Sequence, residues 1–278
     1  MYGAIIGDIV GSPWEFRRIK SKNFPLFGER NGVTDDSIMT VAVADALMND
    51  KDPAETLREW GRRVLPAPQV AGYGKKFIFW LAAPTVQPPY NSYGNGGAMR
   101  VSPAGGLAES LDQCLEMAMR VTAITHNHPE GIKGALATAH AIWLARQGQT
   151  PGQIRADIAA TYAYDFSRSV DEIRAVHQYN ETAQGCVPEA LTCALEATDF
   201  EDALRNAVSL GGDADTLAAI AGGLAEVLYG VPEDIGVQAW RRVPVPLRKV
   251  IEDFYSGSDN PRNLRRVPSC DLKNLVVT

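Results

Sequence analysis

The chain has 278 residues, of which 45% are hydrophobic and 22% charged, and a formal net charge of −6. That composition fits a soluble globular protein able to bury its own core. Without a strong basic run, it argues against binding nucleic acid through a phosphate-neutralising face. The cysteines, Cys114, Cys186, Cys193 and Cys270, form no CxxC pair; free thiols in a reducing cytoplasm are expected.

The N-terminal stretch MYGAIIGDIVGSPWEF is apolar, but Asp8 interrupts it and no basic segment precedes it. It is not a secretory signal. No run reaches the roughly 18 apolar residues of a membrane span. Glu15, at the end of this stretch, is by itself an ordinary exposed acid. Next, Thr34, Asp35 and Asp36 stand directly before an apolar-periodic helix. Threonine and aspartate cap helices, and acids suit a helix start. One cap needs one side chain, however, and three oxygen-bearing side chains are consecutive here.

A helix is predicted from Pro53, with Asp52 as cap and Glu55 three residues on. Residues 66–97 form the longest irregular region and carry five prolines; surface loops of this kind often form binding sites. Within it begins a glycine-rich loop, NSYGNGGAMRVSP, whose Gly94, Gly96 and Gly97 surround Asn95. Glycines let backbone N–H groups approach an anion closely, although the loop matches no established phosphate-binding pattern and also reads as a plain turn. Further helices are expected after Ser110, after Thr150 and Pro151, and from Pro129 to a stop at Gly148. His126 and His128 precede the Pro129 helix; they are either polar loop residues or donors to phosphate at a helix start. His140 and His177 are taken as structural. Helices are also expected from Val187, from Asp199 to a glycine pair, from Asp215 to Gly230, and from Val245. Period-2 patterns are nearly absent, and the weak strand candidate at 267–278 is the best of them. The expectation is an all-α single-domain globule over residues 1–278, with about ten or more helices.

The stretch SLGGDADTLAAIAGG repeats the form of the first acidic cluster. Gly211 and Gly212 end one helix; Asp213, Asp215 and Thr216 begin the next. Asp213 and Asp215 cannot share a helical face, but in a turn leading into a helix they can converge. Carboxylates and hydroxyls are hard donors that suit Mg²⁺, Mn²⁺ or Ca²⁺, and without clustered histidine or cysteine zinc is disfavoured. The two clusters together offer more carboxylates than one Mg²⁺ usually takes, so a two-ion site is expected.

In this order, GAIIGDIVGSPWEF, TDDSIMT, SYGNGGAMRVSP, ITHNHPEG and GGDADTLAAIAGG resemble the ADP-ribosylglycohydrolase family, over residues 3 to about 230. The resemblance implies an all-α fold with a central cleft holding two Mg²⁺ (or Mn²⁺). It implies that Thr34, Asp35, Asp36, Asp213, Asp215 and Thr216 are metal ligands, and it makes Glu15 a catalytic candidate beside Asp35 and Asp36. Ser92, Tyr93, Gly94, Asn95, Gly96, Gly97, Met99 and His126 fall where the family holds the diphosphate of ADP-ribose. Ser37 replaces a familiar threonine beyond the three ligands. The implied reaction hydrolyses the bond between C1″ of ADP-ribose and an acceptor, so an ADP-ribosylated protein or related conjugate is the expected partner, with nucleic acid only as an ADP-ribosylated acceptor. The alternatives are metal-dependent phosphoester hydrolysis of a nucleotide and a catalytically silent ADP-ribose-binding or toxin-immunity module. Loops such as 66–90 would meet the acceptor but carry no readable code for it.

Overall fold

The computed structural model describes residues 1–63 and 72–256. Among these are fifteen α-helices and one 3-10 turn, Ser12–Trp14, with no β-strand; an isolated bridge joins Gly94 and Thr182. Residues 64–71, Cys270 and the strand candidate at 267–278 lie outside the described residues.

Most helices with a capping signal start where the sequence places them. They are α2 (Asp35–Met48), α3 (Pro53–Arg63), α7 (Leu111–Thr122), α8 (Pro129–Arg146), α9 (Pro151–Tyr162), α12 (Phe200–Ser209), α13 (Ala214–Tyr229) and α15 (Val245–Tyr255). Six of these eight, all but α13 and α15, carry a side-chain cap bond. Ser110 Oγ accepts from Gln113 N–H at 3.2 Å, and Thr150 and Gln153 form a reciprocal capping box. Gly148, just beyond α8, has φ +81°, the left-handed conformation glycine adopts without cost.

Two expectations need correction. The helix placed from Val187 is α11 (Ala183–Leu195); it begins at the Thr182 cap and carries Pro188 inside it. Pro188 resembles a first-turn proline, and that likeness places the start too late. The region expected to be irregular contains α4 (Lys75–Ala82). The remaining helices are α1 (Tyr2–Gly11), α5 (Gly96–Met99), α6 (Ser102–Leu107), α10 (Val170–Val176) and α14 (Glu233–Trp240). All but α1 are too short to show a clear period, and α1 is buried on every side, so it has no polar face to reveal one.

α1 and α13 form the centre of the molecule. Gly3, Gly7 and Gly11 lie on one face of α1, and a Cβ at Gly7 would sit 2.0 Å from the Ala218 carbonyl oxygen. At Gly3 and Gly11 the corresponding distances, to the Gly222 and Ala214 oxygens, are 2.3 and 2.4 Å. The two helices therefore pack backbone to backbone and antiparallel. Around them Ile5, Ile6, Ile9, Leu217 and Leu224 are fully buried, each contributing about 1.5–3 kcal/mol. This contact brings the end of α1 beside the start of α13. Among the described residues, Cys114, Cys186 and Cys193 are free and buried, and no helix is long and apolar enough to cross a membrane.

Candidate active site

A cleft of about 500 Å³ opens where these helix ends meet. Three chain segments bring acids to it. The 3-10 turn after α1 leads to Glu15, α2 starts at Asp35 and Asp36, and α13 starts after Asp213 with Asp215 and Thr216. Carboxylate oxygens of Glu15, Asp213 and Asp215 lie within 4.8 Å of one another. Gly72 ties in the rest: a Cβ there would sit 2.7 Å from Asp35 Oδ1 and 4.0 Å from Glu15 Oε2. Thr216 Oγ1 donates to Asp36 Oδ2 at 3.4 Å, bridging the two helix starts.

Thr34 is half-buried and does not line the cleft. Its Oγ1 caps α2 by accepting from Asp36 N–H at 3.3 Å. Its own N–H and hydroxyl both donate to Asp8, a buried residue of α1. The motifs of the sequence give Asp8 no role. The available signal is a lone acid inside an otherwise apolar helix, since a buried carboxylate requires partners.

No lysine or arginine among the described residues pairs with Asp8, Glu15, Asp35, Asp36, Asp213 or Asp215. Asp36 Oδ1 is buried without a hydrogen-bond partner. Glu15, Asp213 and Asp215 hold their carboxylates close enough to repel one another when ionised. The proton affinities follow. Burial, then the charge of Asp213, pushes Glu15 up to about 7. Burial pushes Asp8 up to about 6. Asp35, Asp36 and Asp215 are held well above the carboxylate range by burial and then by neighbouring acids, and Asp213 is raised by burial. Six crowded acids with no salt bridge among the described residues, one oxygen orphaned, and an all-oxygen donor set suit hard divalent cations.

The glycine-rich segment forms another part of the cleft. Ser92, Gly94, Asn95, Gly96, Met99 and His126 line it. Gly96 opens α5, so its N–H has no acceptor within that helix. His126 is buried; its Nδ1 pairs with Thr125 Oγ1 at 2.8 Å, and its Nε2 would lie 3.0 Å from a Cβ at Gly96. Burial, then the Arg100 charge, holds His126 well below its usual range, so it is neutral near pH 7. The remaining members of the segment lie elsewhere. Tyr93 is half-exposed with its ring against His128, and Gly97 is buried against Thr122 and His126. Asn95 is buried, and its amide donates to Asp213 Oδ2 at 2.7 Å, so it serves the acids. His128 caps α8, accepting from Glu130 N–H through Nδ1.

The cleft also recruits residues without a sequence signal. Tyr73, Lys75, Lys76, Arg100, Tyr179 and Glu181 line it. Tyr73, Lys75 and Lys76 fall in the proline-bearing stretch read only as a loop, and Arg100 ends the glycine-rich segment without standing out in it. Tyr179 and Glu181 come from a segment with neither an acidic nor a glycine-rich pattern.

A model of the ADP-ribosylglycohydrolase family matches residues 1–261. The human ADP-ribosylhydrolase ARH3 is 24% identical, with 83% of this chain and 84% of that protein covered. The ADP-ribosylarginine hydrolase Tri1 of Pseudomonas putida is 29% identical over 58% of this chain and 46% of its own length. A solved structure described as an ADP-ribosylglycohydrolase-related protein complex superposes with a TM-score of 0.69 at 22% identity, covering 91% of this chain and 94% of that one. The fold, the ordered motifs and the match along nearly the whole sequence agree, and the chain belongs to the ADP-ribosylglycohydrolase family.

Proposed function

We propose that the protein is a divalent-cation-dependent hydrolase that cleaves the bond between C1″ of ADP-ribose and an acceptor, releasing ADP-ribose. One observation carries this reading: two acidic helix starts, far apart in sequence, converge with Glu15 on one cleft and, among the described residues, form no salt bridge. Thr34, Asp35, Asp36, Asp213, Asp215 and Thr216 would hold two Mg²⁺ or Mn²⁺. Bound there, the cations would neutralise the acids and hold the hydroxyls of the distal ribose.

The chain's own groups supply the rest. Gly96 and His126 line the same cavity and suit a diphosphate, to which the Gly96 N–H and the neutral imidazole would each donate one hydrogen bond. Glu15 is half-buried at the cleft, and burial with the Asp213 charge poises it near neutrality. That suits a group exchanging a proton with the acceptor or the attacking water. Positive charge develops at the anomeric carbon during cleavage, and the nearby carboxylates favour it. Asp35 and Asp36 are the other candidates for proton exchange. The acceptor is a protein side chain or a related conjugate; the arginine in the Tri1 name is one option.

The direct test is a panel of ADP-ribosyl-arginine, ADP-ribosyl-serine and ADP-ribosylated nucleic acid with Mg²⁺, following release of ADP-ribose. Release of intact ADP-ribose from at least one substrate, suppressed by EDTA, is expected. Release of AMP instead would establish phosphoester hydrolysis. Tight ADP-ribose binding without turnover on any substrate would establish a silent binding module.

A further inference from the structure

Asp8 accepts four hydrogen bonds, from Thr34 N–H, Thr34 Oγ1, Ser37 N–H and Ser37 Oγ. These partners are the cap and the first turn of α2. A carboxylate is the one common side chain that serves four donors without offering a proton of its own. Asp8 thus fixes not only where α2 starts but which way the Thr34 hydroxyl points.

The geometry around Thr34 decides that direction. Its single hydroxyl proton has two acceptors in view: Asp8 Oδ1 at 2.7 Å and Asp36 Oδ2 at 3.5 Å. The shorter contact takes the proton. One lone pair of Thr34 Oγ1 then accepts from Asp36 N–H at 3.3 Å, which leaves the other free, on an oxygen 3.5 Å from Asp36 Oδ2. Meanwhile α1, which carries Asp8, is locked onto α13 through the glycine contacts at Gly3, Gly7 and Gly11. One carboxylate therefore ties the α2 start to the helix that fixes the α13 start.

We infer that Asp8 is a positioning residue: it orients the Thr34 hydroxyl as an electron-pair donor toward a divalent cation and sets the register between the two acidic helix starts. This inference rests on the proposed cation site. An amide at position 8 would break the arrangement. Its oxygen would take the place where three donors converge, and its NH₂ would face Thr34 Oγ1. That hydroxyl would then accept from the amide and turn its proton to Asp36, using up the free lone pair.

The test is Mn²⁺ affinity, by calorimetry or electron paramagnetic resonance, on full-length protein stripped with EDTA. If the wild type binds no Mn²⁺, the cation site itself is wrong. If it binds, Asp8→Asn should fold and bind Mn²⁺ roughly 10–100-fold more weakly, the usual loss when a partner behind a metal ligand is removed. Ser37→Ala removes another Asp8 partner but leaves the Thr34 hydroxyl in place, and it should stay within about threefold of wild type. Wild-type affinity in Asp8→Asn overturns the inference, and so does an equal loss in Ser37→Ala, which would mark Asp8 as scaffold alone. Should Asp8→Asn fail to fold, Thr34→Val decides. It must lose Mn²⁺ affinity while Thr34→Ser keeps it, and wild-type affinity in Thr34→Val overturns the inference.

Discussion

The two acidic helix starts look alike in sequence but behave differently in the fold. At α2, Thr34 occupies the cap position and makes the cap bond to Asp36 N–H. At α13, Asp213 occupies the cap position and makes no cap bond; its carboxylate accepts from the Asn95 amide instead and lies close to those of Asp215 and Glu15. The α2 start is anchored from below by Asp8, whereas the α13 start follows Gly211, held at φ +70°, with backbone and the Lys20 side chain packed around it. Asp and Thr before a helix usually need no explanation beyond capping. Here the α2 acids are superfluous as caps, and the α13 acid declines to cap. In both places the carboxylates are committed to the cleft.

The strongest way to break this comparison is Asp213→Asn and Asp215→Asn. Each keeps size and polarity, so folded stability should stay within about 1 kcal/mol of wild type. Hydrolysis of an ADP-ribosylated substrate should nevertheless fall at least about 100-fold, because small displacements in an active site cost that much. Steady-state turnover beside a thermal melt measures both. Two folded mutants at wild-type rate and low Mg²⁺ would return the α13 acids to a capping role.

A second test uses pH. Glu15 and Asp8 are raised to about 7 and about 6 from ordinary values of 4.5 and 3.8, chiefly by burial. The folded, metal-free protein therefore keeps protons that the unfolded chain releases. This contribution to stability is fully present below about pH 4 and is lost as the pH rises through 6 to 7. Divalent cations bind the ionised acids and oppose that loss. The gain in melting temperature on replacing EDTA with saturating Mg²⁺ should therefore grow from pH 5 to pH 7.5. At the higher pH it should reach about 5–10 °C, from roughly 2.7 kcal/mol at 100 times the dissociation constant. Melting curves at four pH values measure it, and a Mg²⁺ effect that is absent or independent of pH would speak against an acidic cation site.

The smallest effect separates the two caps most directly. In EDTA, Thr34→Ala should cost about 1 kcal/mol or more, since it removes a working cap. Asp213→Ala should cost less than Thr34→Ala, because no cap bond is lost and one crowded acid is removed. Urea unfolding of the pair provides the comparison. An equal cost would mean that Asp213 supports α13 after all.

Much of the helical framework is legible in the sequence alone. Helices with a cap, a first-turn proline or a terminal glycine announce themselves, as Ser110, Thr150 with Gln153, and Gly148 do. The acidic clusters stand out because they exceed what capping requires. Asp8, by contrast, looks like a blemish in an apolar stretch, and Asn95 like part of an anion loop. Neither has a sequence-local partner: Asp8 bonds to Thr34 and Ser37, and Asn95 to Asp213. Tyr73, Lys75 and Lys76 sit in or beside a helix that a proline-rich context conceals.

The sequence by itself determined the helical class, most helix starts, the family resemblance and the residue types of the acidic site, because those follow from local backbone chemistry and ordered motifs. Only the tertiary structure decided which acids meet. Gly3, Gly7 and Gly11 remove the side chains that would hold α1 away from α13, and that backbone contact brings Glu15 beside Asp213 and Asp215. Asp8 then joins α1 to α2 through hydrogen bonds spanning more than twenty residues. Both depend on which helix faces which, and periodicity along a chain carries no record of that.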